Sequence, residues 1–166
     1  MIKVVLNHGE EIQAHEVGFK RAVSIDALPD HESRRDRLIN FHEFIGQLAE
    51  SVGAEMAVAK YFALTDFEPT LDTFKTVADV GHAIEVKWTK WVDGHLVVHQ
   101  SDRIDDVAVL VVGKSPKYEL AGWIPVKWAK QRRYYRAKDK NWWIGQADLM
   151  PMEDFLRSDF AYALGS

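Results

Sequence analysis

At 166 residues, with 47% apolar, 28% charged and 11% aromatic residues, the chain has the size and composition of one globular domain, which excludes a disordered, collagen-like or coiled-coil molecule. It has no cysteine, so disulfide scaffolds, Cys-ligated zinc, iron-sulfur clusters and thiol catalysis are excluded, and chemistry falls to carboxylates, Lys, His, Tyr and hydroxyls. The net charge of −4 is unevenly placed: Lys114 to Lys140 holds nine Lys or Arg against Glu119 and Asp139, a local +7 that leaves −11 on the rest.

The opening MIKVVLNHGEE lacks the apolar stretch and small-residue cleavage site of a signal peptide, and no apolar run approaches the ~18 to 20 residues that span a bilayer. The expectation is a soluble protein that stays where it is made, with no membrane partner. After a short apolar start (Ile2 to Leu6), Ile12, Val17 and Ala22 to Val23 among charges suit a helix from about Gly9 to Ala27. From Arg34 to Phe62 the apolar residues Leu38, Phe41, Ile45, Leu48, Val52, Met56, Ala59 and Phe62 recur in steps of three and four. They predict one long amphipathic helix, or two broken near Gly53.

The period then shifts to that of strands. Ala83 to Val92 is rich in β-branched and aromatic residues, Asp93-Gly94 is a hairpin signal, and Leu96 to His99 reads as the returning strand. Val107 to Val112 is an apolar run of strand length, and Tyr118 to Ile124 adds another strand. Pro125 opens a short basic helix in VKWAKQRRYY, Trp142 to Ile144 reads as a last strand, and Met152 to Arg157 as a short helix. This order of elements predicts an α+β or α/β domain with a helix-covered sheet.

Chemistry concentrates around IEVKW. Alternation along a strand puts Ile84, Val86 and Trp88 on one face, with Glu85 and Lys87 on the other, about 6.6 Å apart. Asp79 precedes them across a bend at Gly81, a residue that can fold Asp79 back toward Glu85. Two converging carboxylates form a hard-oxygen site suited to Mg²⁺ or Mn²⁺, and an adjacent Lys can stabilise a phosphate or an attacking hydroxide.

Asp79 followed by Glu85-Val86-Lys87 resembles the PD-(D/E)XK nuclease superfamily. Upstream, Gly53-Ala54-Glu55-Met56-Ala57-Val58-Ala59-Lys60-Tyr61-Phe62 is similar to the helix that carries an additional active-site Glu in many members. The Asp93-Gly94 turn, the Val107 to Val112 strand and Gly122-Trp123-Ile124 resemble small nuclease-like proteins of phages and bacteria. The resemblance covers roughly Glu10 to Trp123. It implies a restriction-endonuclease-like core, a central mixed β-sheet flanked by helices, within a single domain over 1–166. It also implies divalent-metal-dependent hydrolysis of DNA phosphodiesters in a bacterial or phage-infected cytoplasm, with a homodimer left open. Asp79 and Glu85 carry over as metal ligands, joined by the Val86 carbonyl; Lys87 carries over as the group that holds water or developing charge, and Glu55 as the accessory carboxylate that ligates a second metal or holds a metal-bound water. Ala78 stands where the motif has Pro, and the interval from Asp79 to Glu85 is short, which keeps Asp72 as a substitute. Glu50 competes with Glu55 on the helix.

The basic, aromatic-rich segment at 114–143 interleaves Lys and Arg with Trp123, Trp128, Tyr134, Tyr135, Trp142 and Trp143, a pattern suited to phosphate contact and base stacking. Arg132, Arg133, Arg136 and Lys138 are the phosphate candidates, whereas Trp123 and Trp142 read as core. No HExxH is present, and His95 and His99 read as surface histidines, with only Asp93 and Asp102 as carboxylates nearby in sequence. Gln100 and Asp102 either reach substrate or merely finish their strand. Two other functions compete: a degenerate nuclease fold that binds nucleic acid without cutting it, and an accessory protein that binds another protein through its aromatic C-terminal third.

Overall fold

The computed structural model describes residues 1–26, 39–71 and 77–165; Asp72 and the segment from Arg34 to Leu38 lie outside them. Strand β1 (Ile2–Val5) leads into α1 (His8–Asp26). Asn7 starts that helix reciprocally: its Oδ1 accepts from Glu10 N at 2.8 Å, and Glu10 Oε2 accepts from Asn7 N at 2.7 Å, which satisfies two backbone donors at the N-terminus. Helix α2 (Phe41–Tyr61) begins at Asn40, whose side chain accepts from Glu43 N at 2.9 Å.

Helix α2 runs unbroken through Gly53. A Cβ there would collide with the Tyr118 phenol, so this glycine admits a ring against the helix and does not end it. At Gly18, likewise, a Cβ would lie 2.6 Å from Ala49 N, so α1 and α2 cross with their backbones nearly touching.

Six further strands follow: β2 (Ile84–Thr89), β3 (Leu96–Val98), β4 (Val107–Lys114), β5 (Lys117–Pro125), β6 (Tyr135–Arg136) and β7 (Asn141–Ile144). They form a mixed sheet in the order β1-β5-β4-β2 and a smaller sheet in the order β3-β7-β6. The expected hairpin at Asp93-Gly94 is corrected here. Gly94 N does donate to Trp91 O at 3.0 Å, but β2 pairs in parallel with β4, while β3 pairs antiparallel with β7. The turn therefore sends the chain from one sheet to the other.

Strand β4 shows why. Its residues Val107 to Val112 are all buried, and they alternate between two cores. Val107, Val109 and Val111 pack with Val52, Ala54 and Val58 of α2, whereas Ala108, Leu110 and Val112 pack with Leu96, Val98 and Ile144. A continuous apolar run requires cover on both faces, and the small sheet provides the second cover. The result is a mixed α+β protein whose main sheet is flanked by helices on one side.

The basic helix expected after Pro125 is short. Helix α3 spans only Val126–Ala129, then a 3-10 turn (Arg132–Tyr134) passes into β6, because the buried Tyr134 and the β6 pairing draw the chain into the small sheet. The segment Met152–Arg157 is a 3-10 helix whose Met152 and Phe155 are buried, with Phe155 5.1 Å from the Trp123 ring centre. No helix among the described residues is long and apolar enough to cross a membrane.

Candidate active site

The bend before β2 is fixed from below by the C-terminal segment. Gly81 has φ +60°, and a Cβ on it would lie 2.9 Å from both Ala163 O and Leu164 O, so neither the conformation nor the space suits another residue. His82 N and Ala83 N both donate to Ala163 O, at 2.8 and 2.9 Å, and Val80 and Ile84 exchange two backbone hydrogen bonds of 3.1 Å. This tight turn brings Asp79 alongside the strand, where its Oδ2 accepts from Val86 N at 2.8 Å.

Strand β2 is an edge, so the outward N–H groups of alternate residues need partners. Asp79 supplies one. The N–H and C=O of a strand residue point to the same side, so the Val86 carbonyl opens on the edge that Asp79 occupies. Glu55 from α2, Asp79 from the turn, and Glu85 and Lys87 from β2 all line one open cleft of about 700 Å³. Glu50 belongs elsewhere: its Oε2 accepts from Tyr118 Oη at 2.6 Å and from Ser115 N at 3.0 Å. Burial and this carboxylate push the Tyr118 phenol far above its ordinary range.

Charges in the cleft are held in pairs. Lys87 Nζ lies 2.6 Å from Asp102 Oδ2 and 3.3 Å from Glu85 Oε1, with side-chain exposures of 11%, 1% and 6% for Lys87, Asp102 and Glu85. Asp102 Oδ2 also accepts from His99 N at 2.8 Å, and Lys130 Nζ donates to Asp102 O at 2.7 Å and to Gln100 O at 3.1 Å. The loop after β3 thus clamps the catalytic candidate Lys87, and Lys130 of the basic segment braces that loop. Nearby, burial raises the Asp106 carboxyl above its usual range; the charges of Glu85 and Asp102 add to this, while a 2.9 Å bond from Arg103 opposes it.

Glu55 is gripped by Arg21 through two hydrogen bonds of 2.9 and 3.0 Å, and Arg21 Nε also donates to Thr70 O at 2.8 Å. Nothing in the sequence pattern singled out Arg21. Asp102 was readable as a substrate contact or a strand end but not as the partner of Lys87, although a Lys on a half-covered strand face calls for a carboxylate somewhere in the fold.

His95 and His99 are exposed, as expected of surface histidines, and both line the cleft. Leu96 and Val98 turn into the second core, so alternation turns His95, Val97 and His99 to the cleft wall. None of the four phosphate candidates lines the cleft itself; Arg136 comes nearest through Trp143, which does, its guanidinium 4.0 Å from the centre of that ring. Arg133 lies over Tyr134 at 4.5 Å, and Lys138 shares a second hollow with Arg136 and Trp143.

As a metal site the donor set is oxygen only: the Asp79 and Glu85 carboxylates and the Val86 carbonyl. Among the described residues no group of three or more His, Asp or Glu is gathered for ligation. Two carboxylates fit one hard divalent cation that completes its shell with water and substrate phosphate. They do not fit a closed zinc-type cage. Comparisons with protein-family models, with curated proteins and with solved structures find no match to this chain.

Proposed function

We propose that the chain is a divalent-metal-dependent nuclease that hydrolyses DNA phosphodiester bonds with a restriction-endonuclease-like arrangement. The observation that carries this reading is the meeting of Asp79, Glu85 and Lys87 in one open cleft, with Asp79 hydrogen-bonded to the strand between the other two. Asp79, Glu85 and the Val86 carbonyl would hold Mg²⁺ or Mn²⁺, and the bound cation supplies Lewis-acid polarisation of the scissile phosphate.

Lys87 presents an ammonium, held in place by Asp102, to the negative charge that grows on the phosphate oxygens. Glu55 stays paired with Arg21 and shapes the helix wall of the cleft. Arg136, stacked on Trp143 beside the cleft, meets the substrate backbone, with Arg132, Arg133 and Lys138 in the same basic segment. In the reaction, water adds to phosphorus and the bond to the leaving sugar oxygen breaks. The proton released from water ends on that oxygen, leaving a phosphate monoester and a hydroxyl.

A second reading, binding without cleavage, is favoured by the same ion pairs, since Lys87 and Glu55 are both engaged by opposite charges. The two separate in one assay, in which plasmid and single-stranded DNA are incubated with Mg²⁺, Mn²⁺ or EDTA. Cleavage that needs a metal and is lost in Glu85→Ala supports the nuclease. A protein inert on every substrate with both metals, yet retaining DNA by mobility shift, overturns it in favour of the binding module.

A further inference from the structure

The hydrolytic groups account for the floor of the cleft but not for its aromatic rim. Trp91, just beyond β2, is 63% exposed and lines the cleft. Its position is braced. Thr89 Oγ1 accepts from Trp91 N at 3.2 Å, Gly94 N donates to Trp91 O at 3.0 Å, and Gln146 Nε2 donates to Val92 O at 2.7 Å and to Gly94 O at 3.0 Å. A large apolar ring is thus held in water by a turn tied to the small sheet. Trp143 of β7 lines the same cleft, with the His95 ring 5.8 Å from its own.

Each indole also has a cation over it. Lys90 Nζ lies 4.8 Å from the centre of the Trp91 ring, and the Arg136 guanidinium 4.0 Å from that of Trp143. Rings for stacking, flanked by cations for phosphates, match a chain of bases on an anionic backbone. A paired duplex hides its base faces within its own stack, whereas a single strand offers them. From this we infer that the cleft takes single-stranded nucleic acid, with an unpaired base stacked on Trp91 and the adjoining phosphates met by Lys90 and Arg136. The inference rests on the reading of the cleft as a nucleic-acid site and names which form of substrate enters it.

The test is fluorescence anisotropy in EDTA, so that binding is measured without cutting. Its probes are a labelled oligothymidylate, an abasic strand of the same length and a duplex of the same length. The oligothymidylate should bind about 10-fold more tightly than the abasic strand, the scale of one stacked base. Trp91→Ala should erase that difference while leaving the abasic strand unchanged, and Trp91→Phe should restore part of it. Because Trp91 is exposed, the variants should unfold at the parent temperature, which a melting curve checks. Oligothymidylate binding that survives Trp91→Ala would overturn the inference and leave the ring to a protein partner. Duplex binding as tight as single-strand binding, or no binding to any probe, overturns it equally. Metal-dependent cleavage with no Trp91 effect sinks this inference alone; Trp91-dependent binding without cleavage sinks the nuclease reading alone.

Discussion

Replacing Lys87 by Ala removes the cation between two carboxylates that are almost wholly out of water. Its Nζ sits 2.6 Å from Asp102 and 3.3 Å from Glu85, and breaking such a buried pair from one side costs about 3 to 5 kcal/mol. Asp102 keeps the His99 N–H, so the lower end applies, about 3 kcal/mol, or roughly 6 to 12 °C in melting temperature for a chain of this length. Lys87→Met, which keeps much of the stem packing, should share most of the loss. The assay is thermal unfolding of both variants at neutral pH. A Lys87→Ala protein melting at the parent temperature at neutral pH would refute the buried triad. Cleavage, measured well below the lowered midpoint, should fall by about 10² to 10³ for loss of a group aimed at developing charge.

Glu85→Ala should abolish the rise in melting temperature that Mn²⁺ gives the parent, because a ligand stabilises only the state that binds it; an undiminished rise would place the metal elsewhere. Changing Arg132, Arg133 and Arg136 to Ala should lower DNA affinity and flatten its dependence on salt, each lost phosphate contact reducing the slope by about one. An unchanged slope in a salt titration would assign these cations to solubility. Burial holds the Asp106 carboxyl above its usual range, so the folded parent binds that proton more tightly and loses stability as pH rises through the raised value. Asp106→Asn, which does not titrate, should therefore gain on the parent in urea unfolding as pH moves from acid to neutral. Gly53→Ala should destabilise by forcing the Tyr118 ring away from α2. Tyr118→Phe in the same chain should recover part of the loss by removing the oxygen that the new methyl meets first, a coupling that a double-mutant cycle measures.

The secondary structure was legible wherever one physical demand dominated. Steps of three and four marked α2, and the run from Val107 to Val112 marked β4 as a strand. Pairing was less legible. Asp93-Gly94 has the local chemistry of a hairpin, but the partner of β2 was decided by β4, whose two apolar faces require two covers. Only the arrangement of layers, which no local window contains, shows that Leu96 to Val98 serves the second cover and not the first sheet. The same demand shortened the expected basic helix to Val126–Ala129, since Tyr134 is wanted in the second core. Gly53 carried a helix-breaking signal whose meaning depended on a ring 65 residues further along.

Within the cleft, the groups from one short stretch were readable and their partners were not. Strand alternation set Glu85 beside Lys87, and the freedom of Gly81 brought Asp79 back to the edge. Asp102 arrives from beyond β3, and Arg21 from a different helix, so neither spacing nor composition announces them. Yet these two decide the electrostatics. Arg21 compensates Glu55 with a forked pair that holds this carboxylate at the helix wall. Asp102 draws Lys87 to 2.6 Å, closer than Glu85 does at 3.3 Å. A cation binding Glu85 would compete with Lys87 for that oxygen, and the shorter bond to Asp102 gives the ammonium a place to remain when it does. Asp102→Asn should therefore weaken both the hold on Lys87 and the tolerance of the site for metal. It should lower the Mn²⁺-induced stabilisation as well as cleavage, whereas loss of a merely structural contact would lower the melting temperature of metal-free and Mn²⁺-loaded protein equally.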